Sequence, residues 1–235
     1  MKITCHMIMS VDGRLISKYW SPLYNASSSV TEVYEAADAK LSADGWIVGR
    51  KTMAEYGADV VEEKEPMEGH KTMQTNTFIG KREGRPLAVV FDIQGRLHYK
   101  SPTLPSGEHI VAVLGSHVTR AYQKELEEIG VSYIMRTPGS KLEETQSALK
   151  HLEHDFNVKH MLLEGGAITC GNFLQMGLVD ELSMIVYPGL DGESGHPSVI
   201  ECQGVVEPLK KNHLELIDCE TIGSGYVWLR YNIHR

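Results

Sequence analysis

Short apolar runs that alternate with helix-start signals constrain the fold of this chain more than any other feature of its sequence. A Ser or Thr three residues before a Glu, which favours the first turn of a helix, occurs at Ser29–Glu32, Thr52–Glu55 and Ser140–Glu143. Apolar runs with strand composition lie between these positions. Strands separated by helices predict an α/β protein with a mostly parallel central sheet and helices on both faces, whereas the strand-rich C-terminal end predicts added antiparallel strands.

The pattern divides the whole chain into elements. We predict strands at residues 3–11, 46–48, 87–91, 109–114, 131–135, 160–163, 182–187, 214–219 and 226–233. We predict helices at about residues 30–43, from Thr52 onwards, and at about residues 118–129, 140–156 and 168–176. Residues 57–85 are rich in charge, Gly and Pro, and predict a long surface loop of the kind that often forms a lid. No linker or repeat interrupts the pattern, so residues 1–235 are predicted to form one domain.

Charge and composition limit the partners of the chain. The 23 Lys and Arg residues against 31 Asp and Glu residues give a formal net charge of -8, which repels a phosphate backbone. No stretch reaches the roughly 18 consecutive apolar residues of a membrane span, and the N-terminus lacks the features of a signal peptide. The cysteines are widely spaced, as reduced core thiols are. We therefore expect a cytoplasmic protein that binds neither membrane nor nucleic acid.

A Gly-Gly pair at a predicted strand-to-helix junction is the first candidate binding site. Gly165 and Gly166 follow the apolar run that ends at Leu163 and precede a predicted helix. Without Cβ atoms the backbone is open to a ligand, and free amides at the positive end of a helix favour a diphosphate. A tight turn with no ligand would use the same residues, so the pair alone leaves both interpretations open.

A basic turn after the second predicted strand is the next candidate. Arg50 offers a planar fork suited to phosphate, Lys51 adds a point charge, and Thr52 adds a hydroxyl, all directly after Gly49. This set suits a nucleotide that carries an extra 2′-phosphate. A solvated basic turn is the simpler interpretation of these residues taken alone.

Asp12 is a further candidate because it stands where the first predicted strand runs into an Asp-Gly turn, although Asp-Gly is also a common turn dipeptide. The phosphate-loop, dinucleotide-binding, serine-hydrolase and zinc-deaminase motifs are absent from the sequence. His151 and His154 share a predicted helix but have no third ligand nearby, so no metal site is predicted.

Taken together and in order, these segments resemble the reductase domain of riboflavin biosynthesis, the family of the RibD C-terminal domain and the stand-alone diaminopyrimidine reductases. The segments that carry the resemblance are residues 10–14, the Gly49 turn, residues 90–92 and 95–97, and above all residues 162–166, 177–182 and 187–188. Dihydrofolate reductase is similar at the same two glycine turns. The resemblance implies a dihydrofolate-reductase-like, three-layer α/β fold.

Both families use these turns for NADPH, so the resemblance implies an NADPH-dependent oxidoreductase. The residues it assigns to the phosphate side of the cofactor are Gly49, Arg50, Lys51 and Thr52, and those it assigns to the diphosphate are Gly165, Gly166, Ala167 and Ile168. It places Asp12 and Glu164 near the reacting end as candidate catalytic residues. Family reductases deliver a hydride to C1′ of an opened ribosylamino-pyrimidine phosphate, which requires orientation and exclusion of water. Our hypothesis is that Asp12 positions or protonates that substrate. The resemblance also implies a homodimer formed through the C-terminal strands.

Three regions depart from the family pattern and bear on the substrate: Tyr19–Ser28, residues 57–85, and Ile93, which stands where the family has serine. One alternative is therefore a reductase of the same fold that acts on a pterin, a folate or another conjugated C=N or C=C substrate. Another is a protein that binds NADPH but has lost catalysis. Equal candidates for holding a substrate phosphate are Arg14, Lys18 and Arg85.

Overall fold

A computed structural model describes residues 1–25, 27–57, 59–69, 77–204 and 209–235 of the chain. The strands are β1 (Lys2–Ser10), β2 (Gly45–Gly49), β3 (Val60–Glu62), β4 (Leu87–Phe91), β5 (Leu97–Tyr99), β6 (His109–Leu114), β7 (Ser132–Met135), β8 (His160–Leu163), β9 (Glu181–Tyr187), β10 (His213–Ile222) and β11 (Tyr226–His234). The α-helices are α1 (Val30–Leu41), α2 (Arg50–Tyr56), α3 (Arg120–Ile129), α4 (Lys141–Asp155) and α5 (Ala167–Gln175). Every predicted strand and helix is present within a few residues of its predicted position.

The chain divides into two compact units. The first comprises Met1 and Asp44–Lys159, and the second comprises Lys2–Ala43 and His160–Arg235. The single domain expected over residues 1–235 stays a prediction. Within the described ranges, no helix combines the length and the apolar character that crossing a bilayer requires.

The first unit is built on four parallel strands in the spatial order β2, β4, β6, β7. Residues 87–90 and 109–114 are buried at every position, which explains why these strands appear in the sequence as continuous apolar runs. Helix α3 adds Tyr122 and Leu126, both fully buried, to the same core. The burial of whole runs, rather than alternate residues, fixes this sheet as an interior one.

The second unit joins parallel and antiparallel pairing in the spatial order β10, β11, β9, β1, β8. Strand β1 pairs in parallel with both β8 and β9, whereas β11 runs antiparallel to β9 and β10. A buried polar network links its strands: His6 Nδ1 lies 2.9 Å from Ser183 Oγ, and Trp228 donates to the same oxygen at 2.8 Å. The predicted α/β class, with a mostly parallel sheet and antiparallel C-terminal strands, is confirmed.

Helix starts were predicted correctly where a capping box is complete. Ser29 with Glu32, and Ser140 with Glu143, form both reciprocal hydrogen bonds at the starts of α1 and α4. The helix start predicted from the third box, at Thr52, is wrong, because α2 begins at Arg50 directly after Gly49. Helix α3 also begins two residues later than predicted, since the Thr119 hydroxyl caps it.

The predicted loop over residues 57–85 is wrong in part. Strand β3 lies within it and pairs antiparallel with β5, so that Val60 faces Tyr99 and Glu62 faces Leu97. Strands of three residues are too short to show a period of two in the sequence, which is why neither was predicted. Residues 58 and 70–76 of the predicted loop lie outside the described residues.

Candidate active site

The predicted site residues fall into both units. The basic turn Gly49–Thr52 belongs to the first unit, whereas Asp12, Glu164 and Gly165–Ile168 belong to the second.

Asp12 stands at the carboxyl end of β1, where its carboxylate gathers three hydrogen bonds. Ser10 Oγ donates to it at 2.6 Å, and the amides of Asp191 and Gly192 donate at 3.1 and 2.8 Å. These bonds, that of Ser10 first, lower the pKa of Asp12 to about 2. The carboxylate is therefore ionised at neutral pH and anchors the segment that follows β9.

Glu164 directly follows β8 and lies beside the phenol of Tyr34. Burial first, and then the charge of Glu164 and a hydrogen bond to it, raise the pKa of Tyr34. The Tyr34 hydroxyl oxygen also lies 2.9 Å from the carbonyl oxygen of His6, and the two rings stack with centroids 4.4 Å apart. Half-buried Tyr34, backed by the buried His6, thus supports Glu164, which no spacing in the sequence indicated.

The Gly165-Gly166 turn presents bare backbone at the start of α5. Gly165 has φ of +116°, a conformation that side chains rarely adopt, and a Cβ built there would meet only the side chain of Met7, at 3.5 Å. The peptide bond between the two glycines is cis. Gly166 is the N-cap residue of α5 and has no side chain with which to cap it. Ile168 in the first turn is 39% exposed. This surface fits an anion bound to amides beside an apolar group.

The basic turn is a charged cluster rather than a free cation. Arg50 forms an ion pair with Glu62 of β3, and Arg96 shares the same carboxylate at 3.2 Å. Burial, followed by the neighbouring charge of Arg96, lowers the pKa of Arg50. Lys51 is exposed and Thr52 is half-buried. Two guanidinium groups share the Glu62 carboxylate, and the charge of Asp92 also acts on Arg50, so the turn offers paired cations that fit an added phosphate group.

Sequence reasoning assigned Arg50 but missed its partners. Glu62 lies in the segment that was predicted to be a loop, and Arg96 appeared only within a segment that carried the family resemblance. Arg96 is fixed by Asp92, whose carboxylate accepts from the backbone amides of Arg96 and Leu97 at 2.6 and 2.8 Å. Burial raises the pKa of Asp92.

A cavity of about 300 Å³ lies in the first unit, beyond the carboxyl ends of β4 and β6. Its lining includes Met67, Gln94, Gly95, His117 and Thr119. In open α/β sheets, ligands bind beyond the carboxyl ends of parallel strands, so this cavity is where the first unit offers space for a small molecule.

The three cations proposed for a substrate phosphate have distinct surroundings. Arg85 pairs with Glu83 at 2.6 Å, Arg14 donates to the carbonyl of His196 at 2.6 Å, and the Lys18 ammonium lies 4.7 Å from the centre of the Tyr19 ring. Among the residues that the structure describes, no group of three or more His, Cys, Asp or Glu side chains could hold a metal ion.

A mostly parallel sheet that ends in antiparallel strands, with glycine turns at strand-to-helix junctions, gives the chain the dihydrofolate-reductase-like fold class that the sequence predicted. Within that class the chain belongs to the RibD C-terminal domain family, whose model matches residues 1–228. The family resemblance inferred from the sequence is thereby confirmed.

Solved structures share this fold over the whole chain. A pyrimidine reductase-like protein from Corynebacterium diphtheriae is 19% identical, with a TM-score of 0.65, and the match covers 100% of this chain and 92% of that one. RibD of Acinetobacter baumannii is 19% identical, with a TM-score of 0.65, and covers 99% of this chain, which spans only 58% of the RibD chain. The riboflavin biosynthesis reductase Rib7 of Saccharomyces cerevisiae is 15% identical, with a TM-score of 0.61, and the match covers 99% of this chain and 90% of that one. At these identities the likeness shows the fold.

Proposed function

We propose that this protein is an NADPH-dependent reductase that converts a ribosylamino-pyrimidine phosphate to its ribityl form by hydride transfer to C1′. Family membership supports the pyrimidine class of substrate. The observation that carries the cofactor assignment is the Gly165-Gly166 turn, where bare backbone precedes the first turn of α5 and leaves a surface that only glycine can provide.

The residues of the two turns would hold different parts of the cofactor. Gly165, Gly166 and the first turn of α5, with Ala167 and Ile168, would bind the diphosphate through backbone amides. Gly49, Arg50, Lys51 and Thr52 would meet the 2′-phosphate, with Arg96 as an added cation. The bound nicotinamide would supply the hydride, and the protein would supply orientation and exclude water.

The two candidate carboxylates would have separate tasks. Asp12 holds no proton at neutral pH, so positioning is the task that its carboxylate can perform in the proposed reaction. Glu164 stands next to the turn proposed for the diphosphate and is supported by the Tyr34 phenol. We assign Glu164 to contact with the substrate and Asp12 to the placement of the segment that follows β9.

A binding titration followed by a turnover assay tests this function. Cofactor fluorescence would be recorded during titration with NADPH and with NADH, and we expect NADPH to bind at least about tenfold more tightly. NADPH oxidation would then be followed with the pyrimidine phosphate, a pterin and dihydrofolate. Turnover of only a pterin or folate would replace the substrate assignment. Binding without any turnover would leave a nucleotide-binding protein, and no binding of either cofactor would remove the proposal.

We also propose that the protein forms a homodimer through strand β10. This strand pairs with β11 on one side and with no other described strand, and its residues Leu214, Leu216 and Ile217 are 51%, 53% and 42% exposed. An exposed strand edge with apolar side chains is a surface that proteins normally cover. Leu216→Glu should convert the dimer to monomer in sedimentation equilibrium. A wild-type monomer at micromolar concentration would contradict the proposal.

A further inference from the structure

The segment after β9 contains a histidine–aspartate pair that the proposed function has not used. This segment is attached to the end of β1: Val11 donates to the carbonyl of Gly189 at 2.9 Å, and the Asp12 carboxylate accepts from two of its amides. Strands β1 and β9 are parallel neighbours, so the segment lies beyond the carboxyl ends of both. Those ends are where ligands bind in sheets of this kind.

His196 is held in one orientation by a buried carboxylate. Its Nδ1 lies 2.8 and 2.9 Å from the two carboxylate oxygens of Asp191, whose side chain has no exposed surface. The amide of Glu193 donates to Asp191 at 3.1 Å and fixes that carboxylate in turn. The ring of Tyr19 stacks on the imidazole, with centroids 4.2 Å apart. A base fixed by a carboxylate on one ring nitrogen presents the other to a ligand.

The second ring nitrogen of His196 makes no hydrogen bond to the residues that the structure describes. Its imidazole is 18% exposed, and Nε2 lies 3.7 Å from the nearest Glu193 carboxylate oxygen, which is too far for a hydrogen bond. The other charged groups around the ring are Asp191 on Nδ1, Arg14 on the carbonyl of His196, and Lys18 over the ring of Tyr19. Asp12 is linked to Asp191 as well, because its carboxylate accepts a hydrogen bond from the backbone amide of Asp191.

We propose that His196 is the proton donor of the reduction and that Asp191 is its positioning residue. The inference rests on the proposed function, which requires a proton that the ionised Asp12 does not carry. Nε2–H would protonate the ring oxygen O4′ while the C1′–O4′ bond breaks and the amine lone pair forms a C1′=N bond. The incoming hydride then forms the C1′–H bond, the C=N electron pair returns to nitrogen, and solvent returns a proton to His196. One proton and one hydride are consumed, and the product is a neutral secondary amine.

A purely structural pair would behave differently when it is substituted. His196→Gln keeps an amide that can bond to Asp191 but cannot deliver a proton at neutral pH. If the pair only holds the segment in place, this variant changes stability and KM but leaves the shape of the pH profile unchanged. If His196 is the acid, the variant loses turnover and the alkaline decline in kcat disappears with it, because that decline reports loss of the proton.

The test is steady-state kinetics with NADPH and the ribosylamino-pyrimidine phosphate between pH 5.5 and 9. We expect His196→Gln to lower kcat by about 100-fold or more, with the KM for NADPH within about threefold of wild type. Asp191→Asn should lower kcat by less than His196→Gln, because it loosens the hold on Nδ1 but leaves the imidazole in place. His154→Gln, at an exposed position in the last turn of α4, is the matched control and should behave as wild type.

Each outcome decides one of the two proposals. If the wild type turns over the pyrimidine and His196→Gln retains kcat within about threefold and an unchanged pH profile, the proton-donor role is overturned and the proposed function stands. If the wild type binds NADPH but never oxidises it with the pyrimidine, the proposed function fails first, and the assigned role fails with it. Thermal melting of each variant identifies any loss of fold.

Discussion

Two turns with the same local construction, strand then glycine then helix, differ in what surrounds them. The Gly165-Gly166 turn exposes backbone, and a Cβ at Gly165 would touch only Met7. The Gly49 turn carries side-chain charge, and its Arg50 is already paired with Glu62. The first could bind a ligand through its open backbone alone, whereas under the proposed function the second would have to exchange or share an internal carboxylate. The same motif can therefore contribute affinity in one place and selectivity in another.

The largest expected effect comes from closing the open turn. Gly165→Ala places a methyl group at φ of +116°, which adds backbone strain and fills space next to the bare amides. We expect NADPH affinity to fall by about 100-fold, equivalent to about 2.7 kcal/mol, in the fluorescence titration. Gly107→Ala is the matched control, since Gly107 has φ of +112° and nothing within 4 Å of the added Cβ. If both variants lost the same NADPH affinity, the loss at Gly165 would come from backbone strain and not from a methyl group in the cofactor site.

Acid should destabilise both units, through one buried histidine in each. His6, stacked on the Tyr34 that supports Glu164, is buried, and burial lowers its pKa to about 4. Because the unfolded chain binds that proton at about pH 6.5, the stabilising contribution of neutral His6 is complete above that pH. It is lost as pH falls towards 4, by up to about 3 kcal/mol. Buried His109 of the first unit, with its pKa also lowered to about 4, adds a separate loss.

Urea unfolding at pH 7, 6, 5 and 4.5 measures this loss. His6→Gln should make the unfolding free energy fall less steeply with decreasing pH than in the wild type. His109→Gln should remove the part of the fall that comes from His109. The two variants thus compare a buried base near the Gly165 turn with one in the other unit. A decline in His6→Gln as steep as that of the wild type would contradict the assignment of a neutral buried His6.

Removing the cation of the charged turn should affect selectivity more than binding as such. Arg50→Gln takes away the guanidinium proposed for the 2′-phosphate, while Glu62 keeps Arg96 as its partner. We expect about 30-fold weaker NADPH binding, or about 2 kcal/mol, and unchanged NADH binding. Lys150→Gln, an exposed cation on α4, serves as the control. A parallel loss for both cofactors would mean that Arg50 supports the turn rather than reading the phosphate.

The contrast between the turns also shows which features of the structure can be predicted from the sequence. Complete capping boxes at Ser29 and Ser140, and buried runs such as residues 87–90, were predicted because their causes are local. The Glu62 partner of Arg50 was missed, because it lies on a three-residue strand with no detectable period. The Asp191–His196 pair was missed for a related reason: it lies in an irregular segment, where spacing carries no signal until the strands bring that segment to the end of β1.

The smallest and most specific effect should come from Glu62. In the structure this carboxylate forms an ion pair with the guanidinium of Arg50, so a cofactor phosphate must displace it or share the cation with it. Glu62→Gln removes the competing charge but keeps a similar shape, and Arg50 and Arg96 are then no longer paired with Glu62. We expect NADPH to bind about three- to fivefold more tightly, under 1 kcal/mol, with no change for NADH.

Glu63→Gln, one residue further along and exposed, controls for general electrostatics, because Arg96 contacts only the backbone carbonyl of Glu63. The gain should shrink in high salt, where partly exposed charges are screened. If NADPH binds more weakly in Glu62→Gln, then Glu62 instead holds Arg50 in its binding orientation, and the charged turn resembles the open one in being prepared for its ligand beforehand.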